Sequence, residues 1–134
     1  MTKPISSQMH GFLDYMTAAT LVALPNIVPM SGPTAAVVRL MGLGTAAYSA
    51  LTDYELGFVK TLSFKAHLLV DALSAALFLA APLLLKGEEA QTRTALLSIG
   101  LFEAAATLFT EPRAYQRGGV PEIDRTLSSV RAGK

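Results

Sequence analysis

The stretch Ser63–Pro82, SFKAHLLVDALSAALFLAAP, repeats the earlier stretch Ser6–Pro25, SSQMHGFLDYMTAATLVALP, at an offset of 57 positions. Seven residues recur at this offset: Lys3, Ser6, His10, Asp14, Ala18, Ala19 and Pro25 match Lys60, Ser63, His67, Asp71, Ala75, Ala76 and Pro82. After one additional residue, Gly42, Ala46, Ala47, Thr52 and Asp53 match Gly100, Ala104, Ala105, Thr110 and Glu111. A His, an Asp and a Pro repeated at one spacing indicate a tandem duplication, and such a repeat determines the architecture.

The composition of the chain is typical of a membrane protein. Of its 134 residues 51% are hydrophobic and 16% are charged, whereas about 25% of an ordinary soluble domain is charged. The net charge of +1 leaves no concentrated basic surface, so we expect no nucleic-acid partner. The lack of cysteine excludes disulfides, thiolate metal sites and thiol catalysis. We therefore expect one membrane domain, residues 1–134, whose partner is the lipid bilayer.

The apolar segments predict an all-α fold of four helices. We place them at about Ser7–Ile27, Thr34–Thr52, Ser63–Leu85 and Thr92–Phe109. Helices of this size approach the length that crosses a hydrocarbon core of about 30 Å. Pro25 and Pro82 stand late in the first and third helices, where a proline bends or ends a helix. The two copies, about residues 4–53 and 61–111, would form a four-helix transmembrane bundle built from two parallel tandem helix-hairpin repeats.

A soluble four-helix bundle is the alternative fold. It requires a polar stripe along every helix, and it would explain why the second and fourth helices are short for membrane spans. The first and third helices are apolar around nearly their whole circumference beyond the aspartates. That pattern favours the membrane.

The distribution of Lys and Arg predicts the orientation in the membrane, because cytoplasmic loops carry an excess of these residues. Lys3, Lys60, Lys65, Arg113, Arg117, Arg125, Arg131 and Lys134 lie on the side that holds both termini, while Arg39, Lys86 and Arg93 lie on the other. Both termini are therefore expected in the cytoplasm. Residues 112–134 are predicted to form a polar cytoplasmic tail, in which Ile123, Leu127 and Val130 would share one face of a short amphipathic helix.

The candidate functional residues are the repeated pairs His10 with Asp14 and His67 with Asp71. The members of each pair are four positions apart, so they share one helix face. An ionisable side chain within a membrane normally faces the bundle interior and pairs with another polar group. Glu103 joins this set, because it lies at a comparable depth in the fourth helix. These five residues are predicted to form a buried polar cluster in the cytoplasmic half of the bundle.

Three interpretations of this cluster are open. In the first, each aspartate accepts a hydrogen bond from its histidine or from a side chain of a neighbouring helix, and these bonds hold the bundle together. The candidate donors on neighbouring helices are Tyr15, Tyr48, Ser49, Thr52 and Thr107. In the second, histidines and carboxylates in series form a proton or small-solute conduit. In the third, the two histidines bind haem b, or both histidines and both aspartates bind a divalent metal.

The first interpretation gives the leading prediction, a structural or accessory membrane protein that is not an enzyme and needs no cofactor. The common hydrolase, nucleotide and dinucleotide motifs do not occur in the sequence. Small residues that let helices approach closely are Gly42, Ala46 and Ala50 on the second helix and Gly100 and Ala104 on the fourth. They predict contact between these two helices, or alternatively a homo-oligomer.

The repeated hairpin, with His and Asp near its start and a proline late in its first helix, resembles the SPW-repeat family of small bacterial membrane proteins. The Ser-Pro-Trp triplet that names the family corresponds here to residues 24–26, Leu-Pro-Asn, and 81–83, Ala-Pro-Leu, so the proline is kept. The resemblance covers about residues 4–112. It implies four helices in a bacterial inner membrane and no particular biochemical activity.

Overall fold

A computed structural model describes residues 3–113 of the protein. Within this range the chain forms four α-helices, α1 Ser7–Ala23, α2 Gly32–Leu51, α3 Phe64–Leu84 and α4 Ala90–Phe109. The prediction of an all-α, four-helix fold is confirmed. The predicted tail beyond Arg113, with its amphipathic helix, lies outside the described residues.

The two matched prolines have different local structures. α1 ends at Ala23, four residues before its predicted end, and Leu24–Asn26 form a 3-10 turn that contains Pro25. Pro82 instead lies inside the last turn of α3, which continues to Leu84. The first proline thus follows the end of its helix, whereas the second is accommodated within one.

Serines at matched positions begin α1 and α3. Ser6 Oγ accepts the N–H of Met9 and Ser63 Oγ accepts the N–H of Ala66, each at 3.2 Å. An N-cap serine satisfies a backbone donor of the first turn that has no partner within the helix. The sequence places Ser63 at the start of the third helix, and the structure makes it the N-cap of α3.

Each helix packs most closely on its neighbour in sequence, α1 on α2 and α3 on α4. A glycine permits each close approach. A β-carbon at Gly42 would lie 2.8 Å from the carbonyl oxygen of Ala18, and one at Gly100 would lie 2.7 Å from the backbone nitrogen of Leu79. The prediction that these residues join the second helix to the fourth is wrong, because the short turns make the two helices of each hairpin neighbours.

The end of each hairpin pairs with the start of the other. The N–H of Glu111, after α4, donates to the carbonyl of Ile5, before α1, at 2.9 Å. The N–H of Asp53, after α2, donates to the carbonyl of Leu62, before α3, at 2.7 Å. The first residues of α1 and α3 therefore lie at one end of the bundle.

The α1–α2 turn and the α3–α4 loop meet at the opposite end. The Thr92 hydroxyl donates to the carbonyl of Pro29. The Glu88 carboxylate accepts the N–H and hydroxyl of Ser31 and the hydroxyl of Thr34. Because both ends of the two hairpins meet in this way, α1 and α3 run in the same direction. The buried apolar core toward this end consists of Leu21, Leu24, Val28, Val38, Phe78, Ala81 and Leu96.

The contacts of Glu88 predict a pH-dependent contribution to stability. Hydrogen bonds from Ser31 and Thr34 hold the pKa of the Glu88 carboxyl below its ordinary value of 4.5. A lowered pKa in the folded state means that the carboxylate stabilises the fold above the unfolded-state pKa, and that this contribution is lost as pH falls through the folded-state pKa. In detergent, Glu88→Gln should therefore melt below the wild type at about pH 7 and approach it at about pH 3.

Glu89→Gln is the matched control for this measurement. Glu89 is exposed, and its side chain makes no capping hydrogen bond to α4. The control should show no comparable difference between the two pH values. Identical melting temperatures of the wild type and Glu88→Gln at neutral pH would contradict the prediction.

Candidate functional site

Both repeated histidines and both repeated aspartates meet between α1 and α3. His10 Nε2 lies 2.8 Å from Asp71 Oδ2 and 3.3 Å from Asp14 Oδ1. His67 Nε2 lies 3.0 Å from Asp14 Oδ2 and 3.1 Å from Asp71 Oδ2. All four side chains are buried. We call these four residues the His/Asp cluster; each histidine in it lies nearer to the aspartate of the other repeat than to its own.

Threonines at matched positions orient the two histidines. Thr110 Oγ1 lies 2.7 Å from His10 Nδ1, and Thr52 Oγ1 lies 2.8 Å from His67 Nδ1. Each threonine hydroxyl also donates to the carbonyl four residues earlier in the chain, at 2.6 and 2.7 Å respectively. A hydroxyl has one proton, so it must accept the hydrogen bond from Nδ1. Both imidazoles therefore carry a proton on Nδ1 and direct Nε2 at the carboxylates.

Two tyrosine hydroxyls hold the carboxylates from outside the cluster. Tyr48, in α2, donates to Asp71 Oδ1 at 2.6 Å, and Tyr54, in the connection after α2, donates to Asp14 Oδ2 at 3.0 Å. Burial raises the pKa of Tyr54, so its phenol stays a proton donor at neutral pH. Each side chain of the cluster thus has one hydroxyl partner, from Thr110, Thr52, Tyr48 or Tyr54.

Glu103 lies beside the His/Asp cluster rather than within it. Its buried side chain lines a cavity of about 10 Å³ together with His10, Asp14 and Asp71. A cavity of this size holds about one water molecule. Glu103 Oε2 has no hydrogen-bond partner among the described residues. The structure therefore brings four of the five predicted residues into direct contact and leaves the fifth across a small cavity.

Tyr54 is a partner of the cluster that no pattern in the sequence predicts. This residue belongs to a connection between helices, yet its side chain is buried against Gly11, where a β-carbon would lie 2.8 Å from the ring. Its counterpart in the second repeat is Pro112, so the duplication carries no signal for it.

The roles of the other hydroxyl groups also differ from the prediction. Thr52 contacts His67 instead of an aspartate, and Tyr15 donates to the carbonyl of Leu56 at 3.1 Å. Tyr48 is an aspartate partner, as the structural interpretation requires. The repetition of Thr52 as Thr110 is the signal that could have assigned both threonines to the repeated histidines.

A haem does not fit between the two histidines. Their ring centroids are 5.3 Å apart and their planes are inclined by 74°, whereas two axial imidazoles require a porphyrin-sized slot between them. The adjacent cavity holds about one water. A single cation fits the donor set better, because one ligand atom from each of the four residues lies within 4.8 Å of the others.

Comparisons with known proteins add no assignment for this site. No protein-family model, characterised protein or solved structure matches the chain. The resemblance to the SPW-repeat family stays a prediction from the sequence. The chemistry of the site therefore has to follow from its own geometry.

Proposed function

We propose that this protein is a small multi-pass integral membrane protein of a structural or accessory type, whose His/Asp cluster joins two membrane-spanning hairpins. The observation that carries the proposal is an inverted distribution of side chains: compared with a soluble protein, polar side chains lie inside and large apolar side chains lie outside. The buried polar residues of the four helices are Ser7, His10, Asp14, Thr45, Ser49, His67, Asp71, Thr92 and Glu103. Large apolar side chains cover the outside, and Phe12, Leu43, Leu73 and Leu101, one from each helix, are all more than half exposed.

Lipid is the solvent that suits this distribution. A water-soluble bundle buries its large apolar residues, and an apolar surface around all four helices would promote its aggregation. In a bilayer the same surface is solvated by acyl chains, while ionisable groups turn inward and find partners. Two of the helices, α2 and α3, are long and apolar enough to cross a membrane. These observations support the membrane fold over the soluble alternative.

The structural role is supported by contacts between the two hairpins. The hydrophobic effect does not hold helices together in lipid, so packing and polar contacts must do so. The His10–Asp71 and His67–Asp14 contacts join α1 to α3, which belong to different hairpins. Matched backbone pairing of Thr52 with Leu62 and of Thr110 with Ile5 supports a duplicated unit whose two copies close on each other.

A proton or solute conduit has less support. Such a path needs polar groups or water that reach both membrane surfaces. The cavity beside Glu103 has room for about one water. Beyond the cluster, toward the α1–α2 turn, lies the buried apolar core, which includes Leu21, Phe78 and Leu96. A polar route would have to cross that core.

The proposed location is a bacterial inner membrane, with both termini in the cytoplasm. The His/Asp cluster lies at the end of the bundle that holds the starts of α1 and α3. The sequence-based prediction assigns eight Lys and Arg residues to that side and three to the other. An excess of this kind favours the cytoplasmic side.

Membrane fractionation with reporter fusions tests the proposal. The full chain, expressed in a bacterium, should stay in the membrane pellet after an alkaline carbonate wash. Alkaline phosphatase fused after Lys134 should be inactive, because the enzyme needs the periplasm to fold. The same reporter inserted after Gly87 should be active, because the α3–α4 loop is proposed to face the periplasm. Gly87 suits the insertion, since a side chain there would meet nothing within 4 Å. Release by carbonate, or equal activity of the two fusions, would contradict the proposal.

A further inference from the structure

We propose that the His/Asp cluster binds a divalent transition-metal ion of the Zn²⁺ type. The ligands would be Nε2 of His10, Nε2 of His67 and one carboxylate oxygen each of Asp14 and Asp71. This inference rests on the proposed function, because the same four side chains join the two hairpins. It replaces the sequence-based prediction that the protein needs no cofactor.

The Nε2 atoms of both histidines point at the carboxylates. Because the threonine partners accept the Nδ1 protons, a neutral imidazole presents a lone pair at Nε2. These nitrogens face carboxylate oxygens at 2.8 to 3.3 Å, contacts that are attractive only when a second ring proton or a cation lies between the two atoms. His67 Nε2 is buried and has no hydrogen-bond partner among the described residues, although two carboxylate oxygens lie at 3.0 and 3.1 Å. A cation placed between these atoms would supply the partner that His67 Nε2 lacks.

The cluster contains two buried carboxylates, those of Asp14 and Asp71. Burial of two carboxylates is costly unless positive charge compensates them. Within residues 3–113, the one lysine ion pair joins Lys60 to Asp53, so no lysine or arginine ion pair neutralises the cluster. Two protons or one divalent cation would balance both carboxylates, and the cation would satisfy all four ligand atoms together.

The four donor atoms match the ligand types, and approach the spacing, that a Zn²⁺ site requires. Two imidazole nitrogens and two carboxylate oxygens suit Zn²⁺ and similar first-row ions. Bonds of about 2.0–2.2 Å in a tetrahedral site place the ligand atoms about 3.3–3.6 Å apart. On metal binding the nitrogen-to-oxygen contacts of 2.8 to 3.3 Å would have to widen, and the most distant of the four ligand atoms, which lie within 4.8 Å of one another, would have to move closer together.

The hydroxyl groups around the cluster are arranged as they are around known metal sites. Metal-binding histidines usually donate their other ring N–H to a fixed acceptor, and ligating carboxylates are themselves hydrogen-bonded. Thr110 and Thr52 provide the acceptors for the histidines, at 2.7 and 2.8 Å. Tyr48 and Tyr54 donate to the carboxylates, at 2.6 and 3.0 Å. Each of the four proposed ligands is thus held in place by a hydrogen bond to a threonine or tyrosine hydroxyl.

Cobalt substitution tests the site. The full chain, purified in detergent and stripped with EDTA, should bind a single Co²⁺ and develop the visible absorption bands of a tetrahedral ion. Zn²⁺ should abolish these bands, while excess Mg²⁺ should not, because Mg²⁺ prefers six oxygen ligands. A folded wild-type protein that develops no bands would overturn the inference and leave two protons as the compensating charge.

Three variants make the result specific. His67→Gln removes a ligand and should weaken Co²⁺ binding by at least about 100-fold, whereas Thr52→Val removes only an outer partner and should weaken it by about 10–100-fold. Since Thr52→Val keeps every ligand, it tests the site even if His67→Gln fails to fold. Asp53→Asn alters an exposed aspartate and should bind Co²⁺ as the wild type does. Undiminished binding by the first two variants would overturn the inference.

The two proposals fail separately. A chain that stays in the membrane after carbonate washing but binds no Co²⁺ overturns the metal site alone. A chain that binds Co²⁺ but is released by carbonate overturns the proposed membrane function and leaves the metal site standing.

Discussion

Asp71→Asn is expected to destabilise the folded protein by about 3–5 kcal/mol, because removal of one partner from a buried charged cluster leaves the others uncompensated. Asp71 Oδ1 accepts the Tyr48 hydroxyl at 2.6 Å, and Oδ2 lies 2.8 Å from His10 Nε2 and 3.1 Å from His67 Nε2. An asparagine keeps the shape but not the negative charge. The free energy of unfolding should be measured in detergent containing EDTA, so that lost metal binding makes no contribution.

Asp53→Asn is the matched control for this experiment. Asp53 undergoes the same chemical change, but its side chain is 63% exposed and its partner Lys60 lies 3.7 Å away. An exposed ion pair contributes at most about 1 kcal/mol, so the control should lose no more than that. Equal losses for the two variants would exclude the structural role proposed for the His/Asp cluster.

Gly42→Val is expected to destabilise the protein by about 3 kcal/mol or more, because a side chain cannot be added where two helices already touch. A β-carbon at this position would lie 2.8 Å from the carbonyl oxygen of Ala18 and 2.9 Å from the β-carbon of Leu21. Both atoms belong to α1, so the α1–α2 hairpin would have to open. The loss should be measurable as a lower melting temperature of the purified protein in detergent.

Gly44→Val provides the control on the same helix. A β-carbon at Gly44 would meet nothing within 4 Å. Valine is also no worse than glycine in a helix, so the change in stability should stay within about 0.5 kcal/mol. If both variants lose the same stability, helix propensity rather than close packing explains the effect, and the assignment of Gly42 to the hairpin contact is wrong.

The inverted distribution of side chains links these predictions to function. Asp71 and Gly42 represent the two kinds of contact that can hold helices together in lipid, a buried polar pair and a close backbone approach. The polar pairs act between the hairpins, whereas the glycines act within them. We expect Asp71→Asn to weaken the association of the two hairpins, and Gly42→Val to disturb the packing inside one hairpin.

The sequence could predict the number of helices and the identity of the buried polar side chains. Helix formation depends on residues close in sequence, and the serines before α1 and α3 cap their helices locally. The four-residue spacing of His10 and Asp14 places both on one face through helix geometry alone. The repetition of that pair as His67 and Asp71 marks the inward face, because a repeated ionisable pair in an apolar helix needs partners.

The tertiary structure decided which groups are joined. The crossed contacts between His10 and Asp71 and between His67 and Asp14 depend on the rotation and separation of α1 and α3, which local periodicity does not encode. The same holds for Gly42, whose partner helix is set by the short turn of its hairpin, and for Tyr54, which reaches Asp14 from a connection. Local chemistry determined what is buried in this protein, and packing between distant segments determined what each buried group contacts, since one helical pattern is compatible with several arrangements of neighbours.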